Sequence, residues 1–265
     1  MKIIATASVN VGKQRFNNED NLCFNGECLS EAGREAPFFR TLTDEGECFG
    51  FCVCDGMGGE SKGEEASMLG AKGFAQWLEQ FKVQNKPNWK KSIGEYYQTA
   101  GAAVRELTAS LGATSGCTSA NVVLYKGKAW VSNLGDSRVY LLRKGKIHRL
   151  TVDQTLAEMM VKSGKMTREA AESSRAKHQL TGFLGAPEGT DYSKPQLCKA
   201  VSLRNGDRFL LCSDGLTDML SEAQLLETAQ SGETSFCVRR LMDMTLAAGA
   251  RDNCTIILVE VSEKK

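Results

Sequence analysis

Phe49-Gly50-Phe51-Cys52-Val53-Cys54-Asp55-Gly56-Met57-Gly58-Gly59-Glu60 is an apolar run that stops on an acid and then has almost no side chains. The run reads as a buried strand with a carboxylate at its end. Gly56, Gly58 and Gly59 free the backbone to turn sharply and to offer its carbonyls and amides to something small and charged. A lone Asp-Gly after a strand is usually only a turn, but here the pattern returns. Arg208-Phe209-Leu210-Leu211-Cys212-Ser213 is a second strand-like run, and it too ends on an acid and a glycine, Asp214-Gly215. Asp136 closes Ala129-Trp130-Val131-Ser132-Asn133-Leu134-Gly135, Asp252 with Asn253 opens Cys254-Thr255-Ile256-Ile257-Leu258-Val259, and Glu19-Asp20 follows Arg15. If these strand ends converge, several carboxylates share one small space, and burying unpaired charge costs several kcal/mol per ion. Hard, oxygen-seeking cations such as Mg²⁺ or Mn²⁺ are the natural compensation.

The bulk of the chain narrows the options. With 265 residues and no Pro-, Ser- or Gly-rich divider, it can bury a sizeable core and reads as one domain over 1–265. A formal net charge of +1 and dispersed aromatics give no electrostatic footprint or stacking platform for nucleic acid. The apolar part of Met1-Lys2-Ile3-Ile4-Ala5-Thr6-Ala7-Ser8-Val9 is short for a signal peptide and reads as a first strand, and no stretch reaches the length of a membrane span. The ten cysteines are scattered, mostly inside apolar runs and never at Cys-x-x-Cys spacing, which points to reduced thiols in a cytoplasmic protein. His148 and His178 are the only histidines, too few for a histidine-rich metal site.

Along the chain, a polar loop with Arg15 leads to a short strand at 21–24, and residues 26–46 read as irregular. Helical spacing of Ala66, Leu69, Gly73, Trp77 and Phe81 predicts a helix over 63–81. A second follows Pro87, where Trp89, Ile93, Tyr96, Ala100, Val104, Leu107 and Leu111 step by three or four up to Gly112. Two hairpins follow as one meander, turning at Lys126-Gly127 and Lys144-Gly145, with His148 in a strand. Residues 151–195 are polar and partly helical, a long insertion of the kind used as a flap over a substrate. Ser221-Glu222-Ala223-Gln224 is a capping box, another helix ends at Gly249, and a last strand runs from Cys254 to about 261. Strands and helices in blocks favour an α+β fold of antiparallel sheets covered by helices over a doubly wound parallel sheet.

Gly56-x-Gly58 after a strand invites a dinucleotide reading. Ser61 stands where the third glycine belongs, Asp55 would repel a pyrophosphate, and the βαβ alternation is missing. No P-loop pattern exists. What the motifs do carry, in order, is Arg15-x-x-Asn18-Glu19-Asp20, Asp55-Gly56-Met57-Gly58-Gly59, Gly135-Asp136-Ser137-Arg138, Leu150-Thr151-x-Asp153, Ser213-Asp214-Gly215 and Asp252-Asn253-x-Thr255. In this the chain resembles the PPM family, the metal-dependent type 2C protein serine/threonine phosphatases, over nearly its whole length. The Met of Asp-Gly-Met-Gly-Gly is similar to the bacterial branch.

The resemblance implies a four-layer α-β-β-α sandwich, with two central, mainly antiparallel sheets flanked by helix pairs. It implies two tightly bound Mn²⁺ or Mg²⁺ ions and a third, weaker one. Asp55 would bridge the first two and the Gly56 carbonyl would bind one of them, Asp214 and Asp252 would hold the other, and Glu19 and Asp20 would orient coordinated water. Asp136 would share the third ion with Asp214, and Arg15 would clasp the substrate phosphate. The implied reaction is in-line attack by a metal-bridging hydroxide on phosphoserine or phosphothreonine, which needs no protein nucleophile. Implied partners are phosphorylated proteins, the substrates of a cognate kinase, met by a monomer.

Three departures stand out. Met57 occupies a position that is often His in the eukaryotic branch and cannot donate a proton, so the leaving-group acid is unassigned. Gln154 replaces a common His, and Lys177-His178-Gln179-Leu180-Thr181 departs from the bacterial flap pattern. A catalytically silent phosphoprotein-binding relative would lose acids that this chain keeps. A small-molecule phosphatase or nuclease using the same metals is the other alternative.

Overall fold

The computed structural model describes residues 1–30, 37–58, 62–84, 87–111 and 115–262. Its strands, numbered in chain order, form two sheets. One runs β10 (Lys146–Arg149), β9 (Arg138–Arg143), β13 (Arg208–Cys212), β14 (Cys254–Ser262), β1 (Lys2–Asn10) and β4 (Phe38–Glu45). The other runs β11 (Gln196–Leu197), β8 (Lys128–Leu134), β7 (Ser119–Tyr125), β5 (Cys48–Met57), β2 (Asp20–Phe24) and β3 (Glu27–Cys28), with β12 (Val201–Ser202) also on β8 and β6 (Gly116–Cys117) on β5. The pairings along these paths are antiparallel.

Side-chain alternation dictates the layering. Ile3, Ala5, Ala7 and Val9 of β1 are buried in the same cluster as Phe49, Phe51 and Val53 of β5 and Ile257, Val259 and Val261 of β14, so this core fills the space between the sheets. The alternate residues of β14, Ile256 and Leu258, turn the other way and pack under α5 (Glu222–Ala229) and α6 (Thr234–Ala247). Cys52 and Cys54 of β5 do the same under α1 (Gly63–Lys82) and α2 (Trp89–Leu111). Central strands covered on both faces become nearly continuous apolar runs, which is why Phe49–Cys54 and Cys254–Val259 stand out in the sequence. A truncation such as Phe51→Ala at the inter-sheet core would cost about 3–5 kcal/mol. The layer order is α-β-β-α, as the resemblance implies.

Local chemistry supports the helices. Ser221 accepts from the Gln224 amide while the Gln224 side chain returns to the Ser221 amide. Thr155 and Thr167 cap α3 (Leu156–Lys162) and α4 (Arg168–Ser173), the two short helices of the 151–195 segment, each cap contributing about 1 kcal/mol. Between α1 and α2, Phe74, Trp77, Phe81, Trp89 and Tyr96 stack edge to face or tilted, and the Trp77 indole donates to the Ser92 carbonyl at 2.7 Å.

Two expectations need correction. Residues 26–46 are not irregular throughout, since they contain β3 and β4. β4 is an edge strand whose side chains are mostly exposed, so its polar composition hides it. The two hairpins are also not one meander: β7–β8 belongs to one sheet and β9–β10 to the other, with the chain changing sheets at 135–137. Gly112, expected to stop α2, lies outside the described residues, as do Gly59 and Glu60 at the end of the glycine turn.

Candidate active site

The change of sheets at 135–137 places Asp136 where strands of both sheets end. Asp20 and Asp55 come from the β2–β5 pair of one sheet, directly opposite each other in register. Asp214 follows β13 and Asp252 precedes β14 in the other sheet. All but the fully buried Asp20 line one cavity of about 440 Å³, together with Arg15, Glu19 and Gly56. Every site residue expected from the sequence is thus brought to one place.

The glycines are there for close approach. A Cβ on Gly56 would lie 2.1 Å from the Gly63 carbonyl oxygen and 2.6 Å from that of Glu19. One on Gly215 would lie 1.9 Å from the Asn253 carbonyl oxygen. No side chain fits at either position, so the two acid-glycine turns can seat against their neighbouring strands only as written.

A hydrogen-bonded frame holds the acids. Ser213 Oγ and Thr255 Oγ1 both donate to Asp20 Oδ2, at 2.8 and 2.7 Å. Asn253 joins three segments: its side-chain oxygen accepts from the Glu19 amide at 2.8 Å, and its Nδ2 donates to the Val11 and Asn17 carbonyls, each at 2.9 Å. Thr118 Oγ1 accepts from the Asp55 amide at 2.9 Å and meets Ser137 Oγ at 2.7 Å. Arg15 reaches over the cavity mouth to Asp252, 2.7 Å away, with about half of its side chain still exposed. From the 151–195 segment, His178 places Nδ1 3.5 Å from Asp214 and Nε2 3.6 Å from Asp218.

The acids are electrostatically frustrated. Burial, then repulsion from Asp20, Asp214, Asp136 and Asp252, pushes the Asp55 carboxyl well above the usual range. Burial and Asp214 do the same to Asp136. Asp20 is raised to about 7, chiefly by burial and against the opposing effect of its two hydroxyl donors. Asp20 Oδ1 is buried without a hydrogen-bond partner among the described residues, which is costly for a carboxylate oxygen. A divalent cation fits this donor set: it relieves the mutual repulsion and suits hard carboxylate and carbonyl oxygens.

Thr118, Ser137 and His178 were not anticipated. Thr118 is a short polar residue beside a strand end with nothing in the sequence to single it out, and Ser137, though inside the Gly135-Asp136-Ser137-Arg138 motif, was given no role there. His178 is one of only two histidines, but its spacing from Asp214 carries no local pattern.

Comparison with known proteins agrees with the geometry. PstP of Mycobacterium tuberculosis (strain H37Rv), named a serine/threonine protein phosphatase, is 31% identical over 218 residues, covering 79% of this chain and 40% of that relative. The chain therefore spans well under half of that relative's length. Protein phosphatase PhpP of Streptococcus pneumoniae (serotype 2, strain D39) is 26% identical over 256 residues and 96% of both chains. The crystal structure of Mycobacterium tuberculosis PstP superimposes with a TM-score of 0.82 at 25% identity, over 99% of this chain and 100% of that one. The PstP catalytic domain in complex with two manganese ions superimposes with a TM-score of 0.79 at 25% identity, with the same coverage of both chains. Residues 38–248 match the family model for protein phosphatase 2C, and with the acid-lined cavity at the junction of two antiparallel sheets they show that the chain belongs to that family.

Proposed function

We propose that this chain is a Mn²⁺- or Mg²⁺-dependent phosphatase that hydrolyses phosphoserine and phosphothreonine in proteins. The observation that carries it is the convergence of Asp20, Asp55, Asp136, Asp214 and Asp252, with burial and mutual repulsion raising Asp55 and Asp136 and one Asp20 oxygen left without a partner. Bound divalent ions supply counter-charge, Lewis acidity toward phosphoryl oxygens and a water acidified toward neutrality.

The chain's own residues do the rest. Asp55, Asp214, Asp252 and the Gly56 carbonyl hold the two tightly bound ions, and Asp136 with Asp214 holds a third, weaker one. Glu19 and the free oxygen of Asp20 accept hydrogen bonds from water and so orient it. Arg15 is anchored on Asp252 through one nitrogen, and its remaining donors bind the phosphoryl oxygens of the substrate. Thr118, Ser213, Asn253 and Thr255 fix the acids so that little rearrangement is needed when charge builds on phosphorus.

Residues 1–265 act as one catalytic unit, with 151–195 as the flap, working as a cytoplasmic monomer on the substrates of a serine/threonine kinase. Ten free cysteines support the reducing location. Among the described residues, no helix is long and apolar enough to cross a membrane. The test compares hydrolysis of a phosphothreonine peptide, a nucleotide and DNA in one Mn²⁺-supplemented assay, with chelator and Asp55→Asn as controls. Turnover confined to the phosphopeptide, and lost in both controls, is expected. Full activity in either control would overturn the metal-dependent reading, and a preference for the nucleotide or DNA would overturn the substrate class.

A further inference from the structure

A row of thiols crosses the helix-covered face of the second sheet. Cys28 on β3 stands opposite Cys23 on β2, and Cys23 stands opposite Cys52 on β5. These two cross-strand pairs are not equivalent. The Asn25 amide donates to the Gly50 carbonyl at 2.9 Å and the Gly56 amide to the Glu19 carbonyl at 3.1 Å, so odd-numbered residues of β2 turn their backbone polar groups toward β5. Cys23 and Cys52 are then a hydrogen-bonded pair, whereas Cys23 and Cys28 are a non-hydrogen-bonded pair. The β2–β3 loop agrees. It is Asn25-Gly26, with φ of 53° and 103°, a two-residue turn that closes on Phe24 and Glu27 and leaves Cys23 opposite Cys28 as the next, non-hydrogen-bonded position. Such pairs bring their Cα atoms to about 4.5 Å and their side chains close together, inside the span of about 4.4–6.8 Å that a disulfide bridges.

Access differs as sharply as geometry. Cys23 is fully buried, while Cys28 is only partly so and lines a surface cavity beside Lys72 and Gln76 of α1. The hydrogen bond from Cys23 and the Lys72 ammonium hold the Cys28 thiol below the ordinary range, and the same hydrogen bond, with burial, pushes Cys23 well above it. One thiol is poised and reachable, and its partner waits behind it.

We propose that Cys28 and Cys23 are a reversible oxidation site at which a hydroperoxide oxidises Cys28 and Cys23 closes a disulfide. In the first step the Cys28 sulfur attacks the peroxide. An S–O bond forms, the O–O bond breaks, the leaving oxygen takes a proton as water or alcohol, and Cys28 becomes a sulfenic acid, its sulfur oxidised by two electrons. In the second step the Cys23 sulfur displaces that hydroxyl: the S–S bond forms, the S–O bond breaks, and the Cys23 proton leaves with the hydroxide as water. The net change is two thiols and one hydroperoxide to one disulfide, water and water or alcohol, and a dithiol reductant reverses it. Both sulfurs lie outside the acid-lined cavity, so the site is separate from the phosphatase centre.

The sequence makes the test direct, because trypsin releases residues 16–34 as one peptide whose only cysteines are these two. The folded protein is treated with hydrogen peroxide, its free thiols are alkylated, and the digest is read by mass spectrometry. The expected peptide is unalkylated and two hydrogens lighter, and dithiothreitol before alkylation restores two labels. Lys72→Gln should slow formation of the lighter peptide several-fold without preventing it, and Cys28→Ser should leave Cys23 fully alkylated. Linkage of Cys23 to Cys52 overturns the pairing. Two alkylated cysteines after peroxide, or sulfinic acid on Cys28 with Cys23 still free, overturns the site. The Lys72→Gln comparison keeps the test readable even if Cys28→Ser fails to fold.

Discussion

Asp20 and Asp55 face each other directly across the β2–β5 ladder, two carboxylates in a position where strand pairs ordinarily avoid like charges. Asp20 is fully buried and has one oxygen tied to Ser213 and Thr255 and the other to nothing among the described residues. The fold therefore carries a built-in instability that either a proton or a divalent cation can relieve, and this can be measured without any substrate.

The chelated protein should be less stable at pH 8 than at pH 5. The folded-state pKa of Asp20 is raised from 3.8 to about 7, so between those values the native state holds a proton that the unfolded state has lost. Stability falls as pH rises through that window and levels off above it, a loss on the order of a few kcal/mol. Saturating Mn²⁺ should abolish the slope and add about 2.7 kcal/mol of stability at a hundredfold excess over Kd. Urea midpoints at the two pH values, with and without metal, check both points, and a chelated protein that grows more stable toward pH 8 would contradict the assignment.

Thr255→Val removes one of the two donors to Asp20 Oδ2 at nearly constant volume. It should lower Mn²⁺ affinity in calorimetry and cost about 1–3 kcal/mol of stability, the range for a buried acceptor that loses its partner. Thr255→Ser should restore most of both. Unchanged affinity in the valine variant would mean that Ser213 alone positions the carboxylate.

Arg15→Ala should leave the melting temperature near wild type, because its ion pair with Asp252 is half-exposed and such pairs contribute about 0–1 kcal/mol. The kcat/KM for a phosphothreonine peptide should fall by the equivalent of about 1.5–3 kcal/mol, the contribution of a charge-assisted phosphate contact. Wild-type kinetics in this variant would reduce Arg15 to a surface charge.

Asp136→Ala separates the acids. Two tight Mn²⁺ equivalents and a near-native melting temperature should persist while most turnover disappears, since Asp136 is assigned to the weaker third ion. Unchanged kcat would make Asp136 structural. Loss of a tight equivalent would move it into the main site.

The centre of the fold was legible because central strands covered on both faces become apolar runs, and each run here is bordered by a conspicuous acid, Asp55 and Asp214 after theirs and Asp252 before its own. Asp55-Gly56 and Asp214-Gly215 could be read together because the same local need, a turn with no room for a Cβ, produced the same two letters twice. β4 was not legible: an exposed edge strand carries no apolar alternation. The separation of the two hairpins into different sheets was hidden as well, since Gly135-Asp136-Ser137 looks like any turn and only tertiary packing shows that the chain crosses the molecule there. Thr118 and His178 belong to the same class, being defined by what they touch far along the chain: Thr118 meets the amide of Asp55, and His178 reaches Asp214 and Asp218.

The terminal strands have a further consequence, for synthesis. β1 pairs along its full length with β14, and Thr255 grips an aspartate 235 positions earlier in the chain. Contacts this distant in sequence form late and slowly. While the ribosome is still extending the chain, Asp20 and Asp55 can meet, but Asp252 and the hydroxyl of Thr255 do not yet exist. A nascent chain is thus unable to assemble the whole acid cluster, and the cation can be captured only once residues through β14 have emerged and closed the sheet around β1.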